Sequence, residues 1–150
     1  MNTSTTIRYI DYQHQHAESA VTMWRASKGK ALGIAEQHSF EDHLNFLKFD
    51  LAKNNQVCLA VDEEENVLGL MVMDSEFLNQ LYVHVEHQGK GIGTQLLNRA
   101  KENSNGSLKL YTFELNKKAQ HFYEAHGFKI IGGGSDNEEQ LPDLLLQWKV

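Results

Sequence analysis

The segment from position 81 to position 97 constrains the fold of this chain more than any other. It begins with an apolar strand pattern, passes through a turn with glycine at every second position (Gly89, Gly91 and Gly93), and opens an amphipathic helix. Glycine lets an anion approach the backbone closely, and the first turn of a helix offers unpaired N–H groups at the positive end of the macrodipole. The arrangement indicates a site for a phosphate or pyrophosphate group.

Two familiar nucleotide motifs do not match this turn. A P-loop has the spacing G-x-x-x-x-G-K-[ST], whereas Lys90 lies between two glycines and no Ser or Thr follows it directly. A dinucleotide-binding motif has G-x-G-x-x-G after the first strand of a βαβ unit. Here the spacing is G-x-G-x-G, late in the chain, after strands that are predicted to be antiparallel. A tight strand-to-helix turn without a ligand remains the alternative at this point.

The stretch Gln88–Gly93 resembles the pyrophosphate motif Q/R-x-x-G-x-G/A of the GNAT superfamily of N-acetyltransferases, including the strand before it and the helix after it. A second stretch, Asn116–Phe128, resembles the N-x-x-A-x-x-F-Y-x-x-x-G-F signature of the same superfamily. A helix and a strand separate the two, as the family requires. Asn137–Asp143, followed by Trp148, is similar to the ending of some small bacterial members. The resemblance extends from Phe77 to the C-terminal residue.

This resemblance implies that acetyl-CoA is the co-substrate. The amide of Leu81 would polarise the thioester carbonyl, Val83 would bind the pantetheine arm, and the amides of residues 89–94 would hold the pyrophosphate. The candidate cofactor-binding residues are Leu81, Tyr82, Val83, Gln88, Gly89, Lys90, Gly91, Ile92, Gly93, Thr94, Asn116 and Tyr123.

Two residues are candidates for proton transfer. Tyr123 would be the general acid, because a phenol with a pKa near 10 is protonated at pH 7 and can protonate a departing thiolate. Glu76, at the start of the strand that carries the thioester, is the candidate general base that would remove a proton from the acceptor amine. Asp74, Asn79 and Tyr82 are alternatives to it, as is a chain of water molecules.

Hydrophobic periodicity predicts the order β-α-α-β-β-β-α-β-α-β-β. Hairpins on both sides of a strand–helix–strand crossover favour a layered α/β (α+β) fold with a mixed, mostly antiparallel sheet of about seven strands flanked by helices. The resemblance implies the same GNAT fold. The length favours a single domain over residues 1–150. Lys28–Gly33 is predicted as a loop or an irregular helix end. The apolar last strand, Leu144–Val150, is predicted near a sheet edge, where a homodimer contact would cover it.

The bulk properties exclude several classes of partner. A net charge of -6 disfavours nucleic acid and anionic membrane surfaces, which both reward excess Lys and Arg. No apolar run has the length of a membrane span, and the first residues lack the pattern of a signal peptide, so a cytoplasmic location is predicted. The eight histidines show no zinc-ligand spacing, so no metal is predicted.

The predicted function is N-acetyl transfer from acetyl-CoA to an amine of a small molecule or peptide, by direct attack. The alternative is a catalytically silent coenzyme A sensor or regulatory module, and Tyr123 favours the enzyme because a sensor has no need of a general acid. In the family, the first two helices and the last hairpin form most of the acceptor pocket. Trp24, Arg25 and the acidic pair at 138–139 are candidates for lining it, and the acidic pair hints at a cationic amine.

Overall fold

The computed structural model describes residues 6–33 and 36–150. Its helices and strands follow the predicted order. They are β1 (Arg8–Asp11), α1 (Ala17–Leu32), α2 (Phe40–Phe46), a π-helical segment (Leu47–Leu51), α3 (Ala52–Asn54), β2 (Gln56–Val61), β3 (Val67–Met73), β4 (Leu78–Val83), α4 (Ile92–Asn103), β5 (Ser107–Phe113), α5 (Lys117–Ala125), β6 (Lys129–Gly134) and β7 (Asp143–Lys149). A short 3₁₀ turn (His14–His16) precedes α1.

The seven strands form two antiparallel sheets with the orders β1-β2-β3-β4 and β5-β7-β6. One isolated parallel bridge between Phe77 and Lys109 joins them, and there the Lys109 N–H donates to the Glu76 carbonyl at 2.9 Å. This architecture confirms the predicted layered α/β fold with a mixed, mostly antiparallel arrangement of strands. Beyond the bridge, β4 and β5 form no further ladder, and a cleft opens between them.

A bulge at the start of β4 accompanies this separation. Val72 is opposite Gln80 and Met73 is opposite Leu78, so Asn79 is an extra residue on β4. A bulge bends its strand and increases the local twist. The bend turns β4 away from β5 directly after the single bridge.

Helices cover both faces of the first sheet. α1, α2 and the π-helical segment bury one face around Leu47, Leu59 and Leu70, whereas α4 and α5 bury the other face with residues from both sheets. Gly69 on β3 allows α4 to pack closely against the sheet, because a Cβ there would lie 2.8 Å from Leu96 Cδ1. This packing fixes the position of the first turn of α4 beside the end of β4.

Two local predictions need correction. Of the two alternatives for Lys28–Gly33, the loop is wrong, because the segment is the end of α1, which continues to Leu32 and is capped by Gly33 with a left-handed φ of 67°. A glycine inside a helix costs only about 1 kcal/mol, and the burial of one face of α1 outweighs that cost at Gly29. The last strand is not at an edge, because β7 lies between β5 and β6, and the exposed edge strand is β6.

Within the described residues, no helix combines the length and the apolar character needed to cross a membrane.

Candidate active site

The cleft between β4 and β5 brings together residues that are far apart in the sequence. Leu81 and Tyr82 line it from β4, Asn116 and Tyr123 from the start and the middle of α5, and the C-terminal turn of α1 closes one side. The cavity has a volume of about 90 Å³. A wider opening of about 440 Å³ at the β6–β7 hairpin shares three lining residues with it, Tyr111, Thr112 and Phe113.

The edge of β4 that faces the cleft carries backbone groups that β3 does not use. The His84 N–H donates to the Leu68 carbonyl, so every second residue before it also pairs with β3, and the N–H and C=O groups of Leu81 and Val83 point to the cleft side. The Val83 carbonyl accepts hydrogen bonds from Ser27 Oγ at 2.8 Å and from Gln88 Nε2 at 3.2 Å. The backbone N–H and C=O groups of Leu81 can therefore pair with an extended ligand.

The glycine turn has a backbone that only glycine adopts without strain at two positions. Gly89 and Gly91 have φ values of 82° and 84°, and a Cβ at either position would meet no atom within 4 Å. Gly93 fits for a different reason, because a Cβ there would make a tight contact of 3.3 Å with the ring of Phe122. The turn leads directly into the first turn of α4, which has no side-chain cap. Its N–H groups are therefore available to an anion.

The side chains of the turn support this backbone. Gln88 donates to the Val83 carbonyl and accepts from Lys118 Nζ at 2.6 Å, which ties the turn to α5. Lys90 is exposed, so its ammonium can meet a phosphate from solvent. The Ile92 side chain is 1% exposed and belongs to the core, so only its backbone can face a ligand.

Thr94 is also tied to α5. His126 Nδ1 lies 2.7 Å from the Phe122 carbonyl, and because a carbonyl only accepts, this nitrogen carries the proton. His126 Nε2 therefore accepts the hydrogen bond from the Thr94 hydroxyl at 3.1 Å. The first turn of α4 is thus held from its side, with its amide end left open.

Asn116 and Tyr123 come from the second motif. Asn116 is the N-cap of α5, and its side-chain oxygen accepts from the Ala119 N–H at 3.2 Å. Tyr123 lies two turns later on the cleft side and is 8% exposed. Its ring packs edge-on against Phe122 and Phe128. The helix ends at Ala125, and Gly127, two residues later, has the left-handed φ of 91° that is typical after a helix end.

Two phenols, the buried Tyr123 and the half-buried Tyr82, lie in the same region. Burial, with a smaller contribution from the negative charges of Glu139 and Glu36, raises the pKa of Tyr82 to about 12. Burial also raises the pKa of Tyr123, with a further contribution from Tyr82. Both hydroxyls therefore keep their protons at neutral pH, as a general acid requires.

A charged cluster at the side of Tyr82 was not predicted from the sequence. Lys28 on α1 reaches Glu139 in the β6–β7 loop and Glu36 after α1, and His43 on α2 reaches Glu36. No motif marks Lys28, Glu36 or His43, and Lys28 had been predicted in a loop or an irregular helix end. Only the side of the pocket formed by Trp24, Arg25 and the acidic pair at 138–139 had been anticipated.

Glu76 lies apart from these groups. It is exposed in the turn before β4 and does not line the cleft, and its backbone N–H donates to the Asp74 carboxylate. Its role as general base stays a prediction. In the described part of the chain, His, Cys, Asp and Glu side chains form no group of three that could hold a metal ion.

An open strand edge and a buried phenol line one cleft, and a glycine turn with unpaired helix N–H groups follows the same strand; an acyl-CoA-dependent acyltransferase needs these parts. A family model described as "Acetyltransferase (GNAT) domain" matches residues 53–130, more than half of the chain. The chain therefore belongs to the GNAT family of acetyltransferases, and it is an acetyl-CoA-dependent acyltransferase.

Two curated relatives of this chain are named peptidyl-lysine N-acetyltransferases. The chain is 26% identical over 134 residues to the peptidyl-lysine N-acetyltransferase YjaB of Salmonella typhimurium, covering 89% of this chain and 91% of that protein. It is 30% identical over 90 residues to the peptidyl-lysine N-acetyltransferase YiaC of Escherichia coli, covering 59% and 61% of the two chains.

Solved structures share the fold. The solution structure of apo YjaB from Escherichia coli aligns with a TM-score of 0.78 at 21% identity, over 95% of this chain and 97% of that one. The PaiA N-acetyltransferase of Thermoplasma acidophilum, solved in complex with coenzyme A, aligns with a TM-score of 0.75 at 19% identity, over 97% and 99%.

Proposed function

We propose that this protein transfers an acetyl group from acetyl-CoA to a primary amine of a peptide or a small molecule, by direct attack of the amine on the thioester. The observation that carries the proposal is that the Leu81 edge and Tyr123 line one cleft, while the glycine turn follows at the end of β4 and is tied to α5 through Gln88 and Lys118. No group in this arrangement needs to form a covalent acyl intermediate.

The residues present fit coenzyme A. The positive-φ glycines leave open space above the first turn of α4, where a pyrophosphate gains from unpaired N–H groups and the helix dipole. The free edge at Leu81 matches the amides of the pantetheine arm, which can pair with a strand as a peptide does. Asn116, whose oxygen caps α5, keeps its amide NH₂ for the cofactor.

Tyr123 would act as the general acid. The thioester supplies an activated acyl carbon, and the Leu81 N–H would stabilise the negative charge that develops on the carbonyl oxygen. The raised pKa of Tyr123 keeps its phenol protonated until the thiolate departs. A general acid of this kind contributes about 10²–10⁴-fold to the rate.

The names of the relatives suggest the acceptor. YjaB and YiaC are called peptidyl-lysine N-acetyltransferases, and lysine carries the kind of primary amine that the proposed reaction requires. We extend the proposal to lysine side chains in peptides as the first acceptors to test. Small-molecule amines remain the second class.

The test is release of free thiol from acetyl-CoA by the wild-type protein, with lysine-containing peptides and small amines as acceptors. The acetylated product is identified by mass spectrometry, and Tyr123→Phe is the matched control that keeps the ring. Amine-dependent thiol release that falls in Tyr123→Phe supports the enzyme. Tight binding of coenzyme A without any release would support the sensor instead.

A cytoplasmic location and a homodimer are also proposals. The lone thiol, Cys58, is buried in β2 and forms no disulfide, which suits a reducing compartment. The edge strand β6 exposes Ile130 and Ile131 at 50% and 51%, and a second copy is one way to cover such an edge. Sedimentation equilibrium of the wild type and Ile131→Lys tests the dimer.

A further inference from the structure

A histidine at a variable position of the second motif connects α5 to the first turn of α4. His126 Nδ1 lies 2.7 Å from the Phe122 carbonyl, and His126 Nε2 lies 3.1 Å from Thr94 Oγ. Both ring nitrogens therefore have a partner, one on each helix. The ring stands between the helix that carries Tyr123 and the turn at which the pyrophosphate is predicted to bind.

The position of the His126 ring is fixed from three sides. The Phe122 ring packs against it with a centroid distance of 4.5 Å, and the same phenyl ring lies against Gly93 in the glycine turn. Lys101 Nζ, from the last turn of α4, donates to the His126 carbonyl at 2.7 Å. The ring therefore keeps the same two hydrogen-bond partners whether it is neutral or protonated.

The hydroxyl of Thr94 lies on the route to the phosphate site. Thr94 is the third residue of α4 and is half-buried, and a helical side chain tilts toward the N-terminus of its helix. A hydroxyl has one hydrogen to donate. In the neutral ring, Nε2 accepts that hydrogen, so the Thr94 oxygen offers only lone pairs to an anion.

A proton on His126 reverses the direction of this hydrogen bond. Both nitrogens of an imidazolium donate. Nδ1 continues to donate to the Phe122 carbonyl, Nε2 now donates to Thr94 Oγ, and the hydroxyl hydrogen is free to be donated to a phosphate oxygen. Neither contact has to lengthen, and the new positive charge also favours an anion at the turn.

The charged groups around the ring leave this role to the cofactor. Lys101 approaches from α4 through the His126 carbonyl, and His121 and Glu124 on α5 are exposed. β7 contributes Trp148, which does not titrate and lies beside the residue after His126. Within the described residues, no carboxylate forms an ion pair with His126. A bound pyrophosphate would be the anion that favours a proton on this ring.

We propose that His126 positions the hydroxyl of Thr94 for a phosphate oxygen of coenzyme A and takes up one proton when the cofactor binds. This inference rests on the proposed function and adds a positioning residue to its cofactor site. The proton comes from water and stays on Nε2, so the complex holds one proton more than the separate protein and cofactor. The affinity for the cofactor therefore falls as the pH rises, because the bound state is the more protonated one.

The test counts the protons that accompany binding. 3′-Dephospho-coenzyme A is titrated into the wild type by calorimetry between about pH 5.5 and pH 8, the range in which histidines change charge. Each pH is measured in two buffers with different heats of ionisation, and the difference between the two heats gives the number of protons taken up. This probe keeps the pyrophosphate but lacks the phosphate monoester, which itself titrates near pH 6.

Three variants isolate the proposed path. His126→Asn keeps an amide donor but cannot be protonated, and Thr94→Val keeps the shape of the side chain without the hydroxyl. His121→Asn is the matched control, because His121 is an exposed histidine on the same helix. His84 and His87, on the other side of the glycine turn, are present in every protein, so any proton that they take up cancels in the comparison.

We expect His126→Asn and Thr94→Val to take up fewer protons than the wild type, by as much as one per bound cofactor, whereas His121→Asn matches the wild type. At pH 6, Thr94→Val should bind about 10–100-fold more weakly, as for a lost hydrogen bond to a charged group, and the gap should narrow toward pH 8. Thr94→Ser, which keeps a hydroxyl, should restore the wild-type proton uptake.

The opposite results would overturn the inference. Wild-type proton uptake in a folded His126→Asn protein would show that this ring does not receive the proton. Wild-type uptake in Thr94→Val would show that the hydroxyl is not on the path.

Failure of the proposed function looks different from failure of this inference. If the wild type binds neither coenzyme A nor the probe, the proposed function fails and the inference fails with it. If the wild type binds the cofactor and releases thiol with an amine, but its proton uptake does not depend on His126, only the inference fails.

Discussion

Replacing Gly91 tests whether the glycine turn holds the pyrophosphate of coenzyme A. Gly91 has a φ of 84°, where an L-residue costs about 1–2 kcal/mol. Part of that cost is offset, because losing a glycine removes about 0.4–1 kcal/mol of conformational freedom from the unfolded chain. Gly91→Ala therefore measures the backbone cost alone, since a Cβ at this position meets no atom within 4 Å.

Gly91→Asp adds a negative charge at the same place. Two unit charges about 5 Å apart at an effective dielectric constant of about 20 repel by about 3 kcal/mol. We therefore expect Gly91→Asp to bind coenzyme A about 10²-fold more weakly than Gly91→Ala. Aspartate tolerates a positive φ better than alanine does. The free energy of unfolding of Gly91→Asp should therefore be at least as large as that of Gly91→Ala.

The assay is calorimetric titration of coenzyme A into both variants at low and at high salt, with urea unfolding as the stability control. Because salt screens charge repulsion, the gap between the two variants should narrow as salt is added. Equal affinity in two folded variants would refute the placement of the phosphates at this turn. A gap that does not respond to salt would show that the loss is steric rather than electrostatic.

The remaining predictions concern the phenols and the packing of α4. Tyr123→Phe should lower kcat by about 10²–10⁴-fold, with the calorimetric affinity for coenzyme A and the free energy of unfolding little changed. Burial raises the pKa of Tyr82 to about 12, so the protonated phenol contributes fully to stability below pH about 10, and this contribution is lost as the pH rises through 12. In urea unfolding from about pH 9 upward, the free energy of unfolding of Tyr82→Phe should therefore fall less steeply with pH than that of the wild type. Gly69→Ala should destabilise the protein by about 1–3 kcal/mol, because its Cβ would lie 2.8 Å from Leu96. Gly29→Ala is the control, because a Cβ at this exposed position of α1 would meet no atom within 4 Å, and it should stabilise the protein by about 0.5–1 kcal/mol. A Gly69→Ala protein as stable as the Gly29→Ala protein would contradict the packing argument.

Helices and strands were predictable because their signals are local. The spacing of Leu96, Leu97 and Ala100 defines the buried face of α4, and the alternation along β5 marks it as a strand with one buried face. The capping roles of Asn116 and Gly127 also follow from a few adjacent residues, since a helix end is satisfied by its own neighbours.

The local nature of these signals also explains why a loop or an irregular helix end was predicted for the end of α1. Glycine at two positions and lysine at two more made Lys28–Gly33 look like a loop by local preference. The structure keeps the helix to Leu32, because Ser27 reaches the Val83 carbonyl and Trp24 is buried against α2 and β4. Tertiary contacts routinely override propensities of about 1 kcal/mol per residue.

The glycine turn and the helix after it could be predicted from the sequence by itself, whereas the ion pairs beside Tyr82 were decided only by the tertiary structure. Gly89, Gly91 and Gly93 are near neighbours in the sequence, so a few consecutive residues place the backbone groups for which the phosphate site is predicted. Lys28, in contrast, pairs with Glu139, a carboxylate 111 positions later. Charges so distant meet only when the chain packs, because burial and ion pairing are properties of the assembled core rather than of any local pattern.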